Sequence, residues 1–337
     1  MHAMPVGAEI ALSLLIILVA AEVFTNAVEH LGEGLGISEG VTGSLFAAVA
    51  TAMPETMVPI LAFFTASNDS TVSDDIGVGA ILGAPLMLST LSLALMAFSV
   101  LRRRGAGGEM RPEPTGMRRD LNFFLLAFGI AGAALFVPPA HAELRASLAI
   151  LLVMIYFFYV MMTVRASSQL VADGHGTEAH TNLFLCRLGV PDGWPAILVQ
   201  LVIGFGLLIF GAHSFIDGVE RLSTQTAMSA LVLSLLIIPV ATELPEKVNS
   251  ILWARRGKDT LAFGNITGAM VFQGSILPAI GMAMTPWSPD PAVVAGFVVT
   301  LAAAIWLHVA LARGRLRVWH LAVNGGLYLA YLGYVVG

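Results

Sequence analysis

The 337-residue chain has a single cysteine, Cys186, and only 12% of its residues are charged. One thiol excludes a disulfide framework and any cysteine-rich metal centre. So few charges exclude an ordinary soluble domain, which carries roughly 25%. No basic leader precedes the first apolar run, which at 6–28 is too long for the core of a signal peptide. The formal net charge of −5 says little, because the placement of charge matters more than its sum.

What is abundant is apolar sequence. Hydrophobic residues make up 57% of the chain, and the mean hydropathy is +0.84. They form continuous runs rather than stripes, and a membrane-spanning helix needs about 20 such residues. Ten runs qualify: 6–28, 40–65, 75–101, 121–140, 144–164, 194–217, 228–253, 260–284, 290–312 and 318–336. The expected fold is therefore an all-α integral membrane protein of ten transmembrane helices. Two connections read as aqueous, Arg102 to Asp120 and Arg165 to Trp194. The second divides the chain into 1–165, a connecting loop 166–193, and 194–337.

The basic residues fix an orientation. With ten spans, four loops fall on one side. They hold Arg102, Arg103, Arg104, Arg111, Arg118 and Arg119; Arg165 and Arg187; Arg255, Arg256 and Lys258; and Arg313, Arg315 and Arg317. Arg145 and Arg221 fall on the other side, and Lys247 lies within the seventh span. The positive-inside rule makes the fourteen-residue side cytoplasmic and puts both termini outside. The arginine run 102–119 reads as a topology anchor that touches anionic membrane lipid. The polar run 173–180 reads as a solvated loop, with metal binding by its His and Asp residues the lesser alternative.

The chain also matches itself. At an offset of 191, Ala21–Leu31 lies over Ala212–Leu222 with five identities, and Val49-Ala-Thr-Ala-Met-Pro-Glu55 lies over Val240-Ala-Thr-Glu-Leu-Pro-Glu246. At 185, Gly79-Ala-Ile-Leu-Gly-Ala84 lies over Gly264-Asn-Ile-Thr-Gly-Ala269. The change of offset is taken up near Ser67 to Ser73. A unit of five helices forces its second copy to enter the membrane from the opposite side, so the copies are inverted repeats.

Glu55 and Glu246 occupy equivalent places in apolar spans, where an uncompensated carboxylate costs about 2.5–3.5 kcal/mol on insertion scales. Each follows a proline, Pro54 or Pro245, which breaks the helix and frees main-chain carbonyls. Such carbonyls are tolerated at membrane depth where they line a cavity or meet an ion. Thr51 and Thr242 lie four residues before each Glu, on the same face. The carbonyls at Ala48 and Pro239 join the donor set, with a second break expected at Pro239. Gln273 points an amide oxygen at the same place. These are hard oxygen donors, suited to Ca²⁺ or Na⁺ rather than soft metals. The glycines Gly79, Gly83, Gly264 and Gly268 allow close helix packing. Glu243 and Lys247 add a charge pair at i,i+4. It reads either as a self-neutralising salt bridge filling a vacated ion site or as a proton-coupling group. Polar groups on the first and sixth spans, Glu22, Asn26 and Glu29 with His213, Asp217 and Glu220, read as positions near helix ends that meet water.

Thr-x-x-Pro-Glu at 51–55 and 242–246, with the glycine motifs at 79–84 and 264–269, resembles the α-repeats of the Ca²⁺:cation antiporter superfamily, nearest its sodium/calcium exchanger branch. The motif regions are 40–90 and 228–283. The resemblance implies alternating-access exchange of a cation, foremost Ca²⁺, for H⁺ or Na⁺ in a prokaryotic inner membrane. It implies no enzyme activity, no cofactor beyond the transported ion, and no nucleic-acid partner. The departures are Ala52, Glu243, Ala84 and Ala269 where the family has serine, and Leu88 and Gln273 where it has Asn or Asp. They favour protons over Na⁺ as the driving ion. They also sustain a second reading, a relative that has lost transport and acts as a sensor or scaffold. An intramembrane hydrolase is a third reading, against which stands the lack of any His-Glu-x-x-His or in-span catalytic motif.

Overall fold

A computed structural model describes residues 5–34, 56–57, 59–61, 70–138, 140–172, 182–226 and 230–336. Its helices, in order, are α1 (Val6–Gly34), α2 (Ser70–Met87), α3 (Leu93–Arg104), α4 (Pro114–Ala134), α5 (Ala142–Ala172), the short α6 (Phe184–Arg187), α7 (Trp194–Thr226), α8 (Ala230–Thr242), α9 (Leu244–Arg255), α10 (Asp259–Met284), α11 (Pro291–Ala312) and α12 (Val318–Val336). A π-helical turn, Leu88–Ser92, joins α2 to α3 without a loop, so the third span is one rod. Among the described residues the only β-type pairing is a single antiparallel bridge, Glu109 to Arg317. Among the described residues six helical segments are long and apolar enough to cross a bilayer.

Nine of the ten expected spans have a helical counterpart, with corrected ends. The span 40–65 lies largely outside the described residues. The fourth helix runs from Pro114 to Ala134, not 121–140, because Glu113 caps it and Pro114 starts it. Residues 114–120 are thus helical rather than aqueous loop. The fifth helix continues to Ala172, so 166–172 are helical too. The third starts at Ser70, inside the stretch expected to be a loop.

Two rods form the centre. In the most apolar stretch of Asp74–Arg104 and of Asp259–Met284, 83% of residues are buried, against 22% for Ala142–Arg165 and 24% for Val6–Phe24. The rods carrying the glycine motifs are therefore the core, and α1, α5 and α7 present exposed apolar side chains such as Leu15, Phe157 and Val202. Phe124 packs α4 onto α10, and Phe128 and Phe297 pack α11 onto α4. Phe128 stacks on Phe297 at 3.9 Å, and Gly274 leaves room for the Phe124 ring.

The first and sixth expected spans lie side by side and antiparallel. Gly204, Gly211 and Gly218 of α7 face Phe24, Ile17 and Ile10 of α1, so the contact steps by seven residues in opposite directions. A Cβ at Gly204 would sit 3.0 Å from the Phe24 backbone, and one at Gly218 would sit 2.7 Å from Ile10. Only glycine permits this approach.

The basic loops meet at one end. Arg104 is bidentate to Asp259, at 2.7 and 2.8 Å, and donates to the Ala254 carbonyl at 2.9 Å. Arg103 donates to the Arg255 carbonyl at 2.8 Å. The chain at 106–110 pairs through its backbone with Leu316, Val318 and Trp319. At the opposite end Arg145 donates to the carbonyls of Pro286 and Trp287.

A candidate ion site at a helix break

The seventh span is broken at one residue. α8 ends at Thr242, Glu243 turns with φ −90° and ψ 11°, and α9 begins at Leu244. Pro245 is the second residue of α9 and Glu246 the third. Proline fits a helix's first turn, where its missing N–H is not needed, but inside a continuous helix it could not donate to the carbonyl four residues back. The break at Glu243 puts Pro245 in that first turn. The second break, expected at Pro239, is not there: α8 runs through Pro239, and the Glu243 N–H still bonds the Pro239 carbonyl at 3.3 Å.

The break is dry. Thr242 and Glu243 are 0% exposed and Lys247 is 2% exposed. The Lys247 ammonium lies 3.8 Å from Glu243 Oε2 and donates to the Pro239 carbonyl at 3.0 Å. The Pro239 carbonyl, expected to serve a bound cation, therefore meets the cation of a side chain. A buried ion pair costs several kcal/mol of desolvation per charge, which attraction alone repays only with good geometry and further hydrogen bonds. The ammonium–carbonyl bond is one such contact.

The rod that begins with α2 packs against the helix that leads into the break. A Cβ on Gly79 would fall 1.9 Å from Ser234 Oγ, and one on Gly83 would fall 2.5 Å from Pro239 Cγ and 2.6 Å from the Leu235 carbonyl. These glycines therefore let α2 press directly on α8, one turn before the break. The expectation of equally tight packing fails at Gly264, where a Cβ would meet no described atom within 4 Å. Gly268 is buried, and Gln273 is 0% exposed on α10. Asn265 Nδ2 donates to Ser250 Oγ at 3.1 Å and ties α10 to α9. Leu88, Ala84 and Ala269 are wholly buried. Ala48, Thr51, Ala52, Pro54 and Glu55, and the side chain of Glu246, lie outside what is described; of the expected set the structure shows Glu243 beside Lys247 and Gly79 and Gly83 against α8.

Asp120 is the group the sequence reading missed. Placed there at the edge of an aqueous loop, it is instead 2% exposed and accepts from Thr267 Oγ1 at 2.8 Å, Tyr159 Oη at 3.1 Å and Arg119 at 3.3 Å. It thereby pins α4 and α5 to the Gly264–Ala269 motif. Its signal was the apolar run starting immediately after it. Asn26 differs too. Expected to meet water, it is 5% exposed and accepts from Gln200 Nε2 at 2.8 Å and from the Phe184 N–H at 3.1 Å. The polar run 173–180 lies outside the described residues, and among those described no cluster of three His, Cys, Asp or Glu side chains could hold a metal. A cleft of about 380 Å³ between α4 and α5, lined by Arg118, Arg119, Asn122, Phe123 and Met162, opens near the basic end, away from the break.

Comparison with known proteins places this arrangement. The family model described as sodium/calcium exchanger protein matches residues 8–165 and 196–337. The inner membrane protein YrbG of Escherichia coli is 26% identical over 281 residues, covering 82% of this chain and 79% of its own length. The putative antiporter CaxA of Alkalimonas amylolytica is 24% identical over 332 residues, 96% of both chains. Among solved structures, the H⁺/Ca²⁺ exchanger CAX superposes with a TM-score of 0.79 at 16% identity, over 100% of this chain and 83% of that one. The sodium-calcium exchanger NCX_Mj superposes with 0.63 at 17% identity, over 97% and 98%. With its all-helical core and apolar spans, the chain is an integral membrane protein that belongs to the sodium/calcium exchanger family.

Proposed function

We propose that the chain is a secondary antiporter that exchanges Ca²⁺ for protons across a prokaryotic inner membrane, by alternating access around the break at Glu243. The observation that carries this reading is a helix break at which Thr242, Glu243 and Lys247 are buried, with glycines of α2 pressed against the helix that leads into it. A soluble-type core has no use for such a segment, whereas an ion pathway does. The full architecture is ten helices in two inverted repeats with both termini outside. The antiparallel seam of α1 and α7, and the gathering of the arginine-rich turns at one end, support it.

In the proposed site, Glu55 and Glu246 face each other at the midplane, with Thr51, Thr242, Gln273 and the Ala48 carbonyl completing a hard-oxygen shell. Ca²⁺ takes 6–8 such oxygens. Protons are favoured over Na⁺ because Ala52, Ala84 and Ala269 offer no hydroxyl. The relatives include both an H⁺/Ca²⁺ and a sodium-calcium exchanger, so the donor set decides between them. The test is Ca²⁺ uptake into proteoliposomes under separately imposed H⁺ and Na⁺ gradients. Uptake with a H⁺ gradient alone is expected; uptake only with Na⁺ restores sodium coupling. A second reading, a sensor or scaffold without transport, draws on the dry apolar corner of Leu88, Ala84 and Ala269. It predicts no uptake under either gradient.

A further inference from the structure

We propose that the Lys247 ammonium is a resident cation, which occupies, tethered to the chain, a position in the break that would otherwise need a mobile monovalent ion. The inference deepens the exchanger reading and rests on it for the identity of the site. Its own basis is geometric. The ammonium donates to the Pro239 carbonyl at 3.0 Å and stands 3.8 Å from Glu243 Oε2, with both side chains buried. A main-chain carbonyl one turn before a helix break and a carboxylate at the break are the kind of hard donors that a small cation takes.

The matching positions of the first repeat hold no such charges. Ala52 corresponds to Glu243 and Thr56 to Lys247 at the same offset of 191, and Thr56 is buried. The pair is thus an addition to one half only. It is also neutral in sum, so it adds no net charge to whatever Glu55 and Glu246 bind. A lysine kept merely to neutralise Glu243 could do so from anywhere on the helix face. This one is drawn back along α8 to a carbonyl two turns away in sequence. The consequence is specificity: with the position filled covalently, no Na⁺ is required there. Removing the ammonium while keeping Pro239 and Glu243 should create a Na⁺ requirement.

The experiment measures thermal unfolding of the purified full-length chain by tryptophan fluorescence, in NaCl against choline chloride at equal ionic strength. Lys247→Met is expected to gain a saturable, Na⁺-specific rise in Tm beyond any shown by the unmodified chain. Lys247→Arg, which keeps the charge, is expected to gain none. The double variant Lys247→Met/Glu243→Gln is expected to lose the gain. A Lys247→Met protein as indifferent to Na⁺ as the parent overturns the proposal and leaves a structural salt bridge. A gain that survives in the double variant overturns it too. If Lys247→Met aggregates in choline, recovery of folded protein in Na⁺ reads the same quantity, and equal recovery in both salts is an overturning result. Ca²⁺ uptake by the unmodified chain is scored separately. Its failure would refute the exchanger reading, while the Na⁺ shift stands or falls on its own.

Discussion

At the scale of single residues, two glycines of the same motif class have opposite prospects. Gly83 faces Pro239 and the Leu235 carbonyl at distances no Cβ tolerates, whereas Gly264 faces no described atom within 4 Å. Overpacking costs typically about 1–3 kcal/mol, while replacing an unhindered helical glycine by alanine gains up to about 1 kcal/mol in helix propensity. Gly83→Ala should therefore lower Tm and Gly264→Ala should hold or raise it. Equal shifts in the two variants would mean that α2 and α8 do not press together as described. Glu246 is a sharper test of mechanism. Glu246→Gln keeps size and hydrogen-bonding capacity but removes charge, so Ca²⁺ uptake should vanish with the unfolding temperature little changed. Full uptake in that variant removes Glu246 from the ion path.

At the scale of elements, the break between α8 and α9 depends on Pro245. Restoring an N–H there would let the turn close on the Ala241 carbonyl and make one continuous helix. Proline inside a helix costs about 3 kcal/mol or more, so Pro245→Ala should raise Tm. If the break exposes the oxygens that bind the ion, uptake should fall by at least about tenfold, which corresponds to about 1.4 kcal/mol of lost transition-state stabilisation. A more stable variant with undiminished uptake would detach the break from function. The spans themselves were legible in the sequence because lipid demands unbroken apolar length. Their ends were less so. Glu113 and Pro114 start α4 seven residues before the apolar run, since a cap and a proline act through the backbone rather than through hydropathy. Pro239 shows the converse. Proline suggested a break, but the helix accommodates it, and the turn falls at Glu243, two residues before Pro245. Lys247 could be seen as a partner for Glu243 by spacing. Its bond to the Pro239 carbonyl could not, because it depends on how the turn at 243 tilts one half-helix against the other.

At the scale of the whole molecule, orientation rests on arginine placement, and the lone thiol can check it. Cys186 lies on α6 in the connection that the arginine count assigns to the cytoplasm. Burial and the Asp192 carboxylate, 3.9 Å away, push its thiol above the usual cysteine range, so labelling will be slow at neutral pH and faster when alkaline. A membrane-impermeant maleimide should modify it in inside-out vesicles and not in intact cells. The reverse pattern would invert the topology. The break in the second Thr-x-x-Pro-Glu was legible in the sequence, because proline acts locally on the backbone. Asp120 escaped notice because its partners, Tyr159 and Thr267, come from α5 and α10, and no local pattern announces them.

The glycine seam between α1 and α7 has a consequence for assembly. Its contact pairs advance along one helix as they retreat along the other, with glycines of α7 against larger side chains of α1. Antiparallel pairing is the arrangement that a two-fold dimer contact also uses, here enclosed in one polypeptide with unlike faces. A seam of this kind needs no covalent link to form. It asks only that two half-length chains enter the bilayer in opposite senses. The connection through 173–193 would then be a convenience of synthesis, ensuring one copy of each orientation. Residues 1–172 and 182–337, expressed together as separate chains, should co-purify and recover Ca²⁺ uptake, and either alone should not. Failure of the halves to associate would make the linker part of the fold and deny the seam its autonomy.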